Sequence, residues 1–232
     1  MVIVGQSGDG RRLTEFDLGH GDDPGAQLAL RGLRTVRPLR AAGSDGDLTV
    51  TMLVEPGTDR GNGASSDPAR DAERRSPTPN ASGNGSGDGR AVRRQRVAAY
   101  AWVESTRGIL AAEFYRPVPG GRWGLPGGGL DENEEPVDAV HREVMEETSQ
   151  RIELGELVGV DSRHWVGRSP AGVLEDFHAV RLIYRARCPV PTDPVVIDVG
   201  GTTTAATWFP YESWQDQPWN TGWRDLLVSL FG

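Results

Sequence analysis

Lysine is absent from this chain: all 25 basic residues are arginine. A Walker-type P-loop, which sets a lysine on the phosphates, is therefore excluded. Cysteine is almost absent as well. Cys188 stands alone, so no internal disulfide can form. It precedes Pro189 at the end of an expected strand and reads as a small buried hydrophobe rather than a nucleophile. Positive charge is in deficit, with 33 acidic residues against 25 basic and a net charge of -8. That balance argues against electrostatic capture of nucleic acid. Phosphates can still be bound where a cation stands between them and the protein. No apolar run approaches the roughly 18 residues of a membrane helix. The opening MVIVGQSGDGRR lacks a basic start followed by an apolar core, so no secretory signal is expected. A soluble cytoplasmic protein is the resulting expectation, and the sequons at Asn80 and Asn84 carry no meaning without secretion.

Large side chains are missing from one long stretch. Between Gly57 and Gly89 almost nothing bigger than alanine could enter a core. Residues 57–93 are expected to be a disordered linker or an extended loop, dividing a segment 1–56 from a main domain 94–232. The alternation Gly83-Asn84-Gly85-Ser86-Gly87 is not a phosphate loop, because no strand precedes it and no apolar helix follows.

The informative residues run from Gly128 to Glu147, GGLDENEEPVDAVHREVMEE. Val137, Val140 and Val144 recur at helical spacing, which predicts an amphipathic helix over 136–148. Pro136 suits the first turn, where its missing N–H costs nothing. At about 100° per residue, Glu143, Glu146 and Glu147 fall within one arc of roughly 100° beside the valine stripe. Three carboxylates so close repel one another. A hard divalent cation such as Mg2+ or Mn2+ removes the conflict, because it takes oxygen ligands and keeps room for water and phosphate. An acidic helix face is more often merely solvated. That reading leaves the preceding Trp123-Gly124-Leu125-Pro126-Gly127-Gly128-Gly129 unexplained, where glycines let backbone approach a ligand closely.

The spacing resembles the signature box of the Nudix hydrolases, G-x5-E-x7-R-E-U-x-E-E-x-G-U with U a bulky apolar residue. Gly128, Glu134, Arg142, Glu143, Val144, Glu146 and Glu147 match in order, while Ser149 and Gln150 depart from the last two positions. The resemblance implies an α/β fold, an α/β/α sandwich with a mixed β-sheet between helices. It also implies one metal and diphosphate site built from the glycine loop and the helix. Glu143, Glu146, Glu147 and a backbone carbonyl near Gly127 or Gly128 would bind Mg2+ or Mn2+, and Arg142 would pair with Glu134 to orient the cluster. Glycine at 149 would favour a left-handed helix end, which serine tolerates less well. Losing the apolar residue at 150 is predicted to weaken docking of that end by about 1 kcal/mol.

Beyond the box, strands are expected over 96–104, 108–115, 157–160, 175–187 and 205–209. Trp223, Leu226, Leu227, Leu230 and Phe231 predict an amphipathic C-terminal helix. In the first 56 residues, 48–54 reads as a strand, 34–40 as its hairpin partner, and 24–34 as a short helix. Such a segment is too small to be stable alone and is expected to add strands or a lid, or to make a homodimer contact.

Other residues carry weaker signals. His20, His141, His164 and His178 show no ligand spacing. His178 in a strand reads as a core group and His141 as solvated. Trp165, Trp208, Trp214 and Trp219 could stack a base but more often close the far side of a sheet. Glu175, at a strand start after a glycine- and proline-containing stretch, is a candidate further ligand or water activator. The expected function is metal-dependent hydrolysis of the pyrophosphate in a nucleoside diphosphate linked to another moiety. Two rivals are a nucleotide-binding sensor without catalysis, and a prenyl diphosphate isomerase, which needs a cysteine at the site.

Overall fold

The computed structural model describes residues 1–44, 46–57, 91–115, 123–169, 172–197 and 201–232. Most of the expected linker, 58–90, lies outside the described residues.

The first 56 residues form a sheet of their own. Strands β1 (Val2–Gln6), β2 (Arg12–Asp17), β3 (Leu33–Ala42) and β4 (Thr49–Pro56) lie in the order β2-β1-β4-β3. The β3–β4 hairpin is the antiparallel pair expected from its alternation, and β1 joins β4 in parallel. Helix α1 (Pro24–Ala29) starts where Asp23 accepts a hydrogen bond from the Ala26 N–H at 2.8 Å, with Pro24 in the first turn. These strands do not extend the main sheet.

The main sheet begins at β5 (Val92–Ser105), earlier than the sequence suggests. It continues through β6 (Gly108–Phe114), β7 (Trp123–Gly124), β8 (Gly127–Gly129), helix α2 (Pro136–Thr148), β9 (Glu153–Arg168), β10 (Leu174–Arg187), β11 (Thr203–Phe209) and helix α3 (Thr221–Phe231). The order is β11-β6-β5-β10-β9, with β5 and β10 parallel and the other neighbours antiparallel, so the sheet is mixed. Alternation along β5 decides the two faces. Val97, Ala99, Ala101 and Val103 pack with Ala139, Val140 and Val144 of α2 on one side. Trp102 turns to the other, with Trp223 and Leu227 of α3, Ile183, Trp214 and Trp219. Phe231 stacks on Trp102 with ring centroids 4.2 Å apart. A mixed sheet between helices is thus the observed architecture.

The N-terminal sheet shares the α2-side core. Ile3, Leu28, Val50 and Val54 are buried in the same cluster as Val180, Leu182 and the α2 valines, and β3 runs against β9. Each fully buried aliphatic side chain there contributes about 1.5–3 kcal/mol. No helix among the described residues is long and apolar enough to cross a membrane.

Candidate active site

Helix α2 spans the predicted residues, from Pro136 in the first turn to Thr148. Its C-terminus shows how the two departures from the box are absorbed. Ser149 takes the left-handed conformation, φ 57°, and its hydroxyl donates to the Val195 carbonyl at 2.8 Å. Gln150 is not a weak point. It is buried, its Nε2 donates to Thr148 O and Thr192 Oγ1, and its Oε1 accepts from the Thr192 N–H at 3.0 Å. Hydrogen bonds to 192 replace the apolar docking expected at this position. The chain then runs along the helix end, where the Val195 and Ile197 N–H groups bond the carbonyls of Thr148 and Glu146.

Arg142 is the hub of the carboxylate face. Its Nε and Nη2 donate to the two oxygens of Glu134, each at 2.8 Å, a bidentate pair. Its Nη1 reaches Glu143 at 2.9 Å and Glu146 at 3.3 Å, and Nη2 also touches the Gly129 carbonyl at 3.3 Å. The guanidinium hydrogen bond holds the Glu134 carboxyl below its ordinary range, and the Asp131 N–H adds to this. One arginine therefore ties the loop before the helix to two glutamates on it.

The glycine loop closes against the same side chains. A Cβ on Gly128 would lie 2.3 Å from Glu143 Oε1, so only glycine lets backbone pass there. Glu147 is buried; its Oε2 accepts the Gly127 N–H at 2.8 Å and its Oε1 accepts the Thr203 hydroxyl. Thr203, on β11, was not visible from sequence spacing. Glu146 is the most open of the three, with its side chain 41% exposed. Hard oxygen donors from Glu143, Glu146 and Glu147, beside the backbone of Gly128, suit Mg2+ or Mn2+ in kind.

Glu175 stands on β10 and is not among the groups that Arg142 gathers. Its carboxylate pairs with Arg94 at 2.8 Å inside a groove of about 590 Å³ lined by Arg93, Arg94, Gln95, Arg96, Glu175 and Phe177. The groove borders the glycine loop, since a Cβ on Gly129 would strike the Arg96 guanidinium. Trp165 packs on Phe177 at 4.7 Å, whereas Trp214 and Trp219 are buried in the α3-side core and Trp208 donates to the Thr192 carbonyl. The run Arg93-Arg94-Gln95-Arg96 was the available signal for this groove, a basic cluster in an acidic chain. His141 is exposed on α2 and His178 is fully buried, as expected. Burial, with His20 and His164 nearby, lowers the pKa of His178. Cys188 is buried beside Gln150, and burial pushes its thiol pKa up, as suits a core hydrophobe rather than a nucleophile.

The NUDIX domain family model matches residues 93–228. The chain belongs to the Nudix family. It is similar to the RNA pyrophosphohydrolase of Bartonella henselae, 68% identical over 34 residues, which are 14% of this chain and 20% of that protein. It is also similar to a MutT-like protein of Streptomyces ambofaciens, 51% identical over 45 residues, 19% of this chain and 29% of that protein. The chain thus aligns with less than a third of the length of either curated relative. Among solved structures, the MutT NUDIX hydrolase of Burkholderia pseudomallei is 27% identical with a TM-score of 0.45, covering 60% of this chain and 99% of that one.

Proposed function

We propose that this protein is a Mg2+- or Mn2+-dependent pyrophosphohydrolase acting on a nucleoside diphosphate linked to another moiety. The observation that carries the reading is the convergence on Arg142 of Glu134, Glu143 and Glu146, with the Gly128 backbone packed on Glu143. Glu143, Glu146, Glu147 and the Gly128 carbonyl would hold the cation, which neutralises phosphate charge and acidifies water. Arg142 keeps the carboxylates assembled against their mutual repulsion and contacts no substrate. Glu147, bonded to Gly127 and Thr203, fixes the loop against the helix. A carboxylate of α2 takes the proton from the attacking water, since Glu175 is committed to Arg94. The groove lined by Arg94, Arg96 and Phe177 offers cations and an aromatic face to a substrate with further phosphate and a ring.

The test is turnover of ADP-ribose, NADH, diadenosine polyphosphates, nucleotide sugars and nucleoside triphosphates with Mg2+ or Mn2+, beside Glu146→Gln. Hydrolysis lost in the variant is the expected result and names the substrate class. Tight nucleotide binding without turnover in the wild type would overturn the hydrolase in favour of a sensor.

A further inference from the structure

A second cluster of metal-ligating side chains lies away from α2, at the seam between the two sheets. The β9–β10 register sets His164 opposite His178, with Asp176 one alternation earlier on the same face. His20 reaches the same place from the loop after β2, far away in sequence. Its Nε2 and that of His164 both approach one oxygen, Asp176 Oδ1, at 3.1 Å and 2.5 Å. The other Asp176 oxygen faces Arg93 at 3.7 Å.

We propose that His20, His164 and Asp176 form a second divalent-metal site, one that takes Zn2+ and fastens the N-terminal sheet to the main sheet. The three ligand atoms all lie within 4.8 Å of one another. In a tetrahedral zinc site with bonds of about 2.0–2.1 Å, ligand atoms stand about 3.3 Å apart. To reach that geometry the His164–Asp176 pair opens from 2.5 Å by about 1 Å, and the His20 and His164 nitrogens, within 4.8 Å of each other, settle to the same spacing; two of the three side chains sit on adjacent strands of one sheet. Two imidazole nitrogens and one carboxylate oxygen suit Zn2+ better than Mg2+, in contrast to the all-oxygen set on α2. On binding, each Nε2 presents its lone pair with the proton carried on Nδ1, and Asp176 Oδ1 exchanges two hydrogen bonds for the metal.

The surroundings are built to hold these ligands. Arg93 orients the carboxylate from its other oxygen. Ser162 Oγ donates to the Asp22 carbonyl at 2.9 Å and lies 2.9 Å from His178 Nε2, pinning the His20 loop to the sheet. Gly21, at φ +82°, allows that loop to pass the His164 ring, where a Cβ would come within 3.2 Å. A third imidazole, His178, stands with its ring centroid 5.6 Å from that of His20, and its buried Nδ1 has no hydrogen-bond partner among the described residues. The His164 side chain is 41% exposed, which leaves an entry path and an open position for water.

The site shares no residue with the α2 cluster, so its test does not depend on turnover. Full-length protein stripped with EDTA is titrated with Zn2+ by calorimetry, as wild type, Glu146→Gln, Asp176→Asn and His164→Gln. A tight Zn2+ site that survives in Glu146→Gln and weakens at least about tenfold in Asp176→Asn and in His164→Gln is the expected result. Zinc should also raise the melting temperature of Glu146→Gln and leave that of Asp176→Asn unmoved. Co2+ should give a visible absorption band in Glu146→Gln that Asp176→Asn lacks. Zinc affinity unchanged by both seam substitutions, or no micromolar binding in Glu146→Gln, would overturn the proposal. If one seam variant fails to fold, His20→Gln takes its place.

Discussion

The two polar clusters of this protein are near inversions of each other. At α2 a single guanidinium, Arg142, gathers three carboxylates; at the seam a single carboxylate, Asp176, gathers two imidazoles. The first excess of charge is negative and hard, the second soft enough for nitrogen-loving ions. The first is assembled within 20 residues of sequence, a glycine loop and one helix. The second joins residues more than 150 positions apart. The α2 cluster is local in sequence, whereas the seam cluster joins the loop after β2 to the main sheet.

The comparison breaks most sharply at Glu146. Replacing it with glutamine should lower kcat at least about a hundredfold with the melting temperature nearly unchanged, read by product release and thermal unfolding. Loss of folding instead would show that α2 needs this carboxylate for stability. Arg142→Ala comes next. It leaves Glu134, Glu143 and Glu146 without their shared partner and should cost about 1–3 kcal/mol in urea unfolding, with Arg142→Lys failing to restore the bidentate pair. The contribution of Glu134 has a defined pH window. Its folded pKa lies below its unfolded value, so its stabilisation is whole at neutral pH and is lost as pH falls through the lowered value. Urea curves of wild type and Glu134→Gln should therefore differ at pH 7 and converge in acid.

At the seam, without metal, Asp176→Asn should lower stability in urea unfolding, and the double variant with His164→Gln should lose less than the sum of the two. Additive losses would mean that the two residues act independently. The smallest effect belongs to Ser149→Gly. Relief of the left-handed conformation, worth about 0.4–1 kcal/mol, is offset by loss of the bond to Val195, leaving a net change within about 0.5 kcal/mol.

Much of the main domain was legible because its signals are periodic. The valine stripe and Pro136 located α2 to the residue, and the C-terminal apolar spacing located α3. The apolar pattern predicts only 157–160 of strand β9, which runs from Glu153 to Arg168. Its second half, Asp-Ser-Arg-His-Trp-Val-Gly-Arg, has no apolar alternation, and pairing with β10 holds it extended. Strands β1 and β2 escaped for a similar reason, since their order in the sheet rests on a parallel β1–β4 pairing that no local pattern encodes. Gln150 read as a defect because its partner, Thr192, lies 42 residues on.

By itself, the sequence determined the helix, the glycine loop and the carboxylate spacing, because one turn of helix converts residue number directly into direction. Tertiary structure decided what the long-range contacts do. It tied Glu175 to Arg94, buried Glu147 against Thr203, and brought His20 to Asp176. Such contacts depend on which strands pair and which faces meet, and the burial that drives that choice is non-directional and summed over the whole chain.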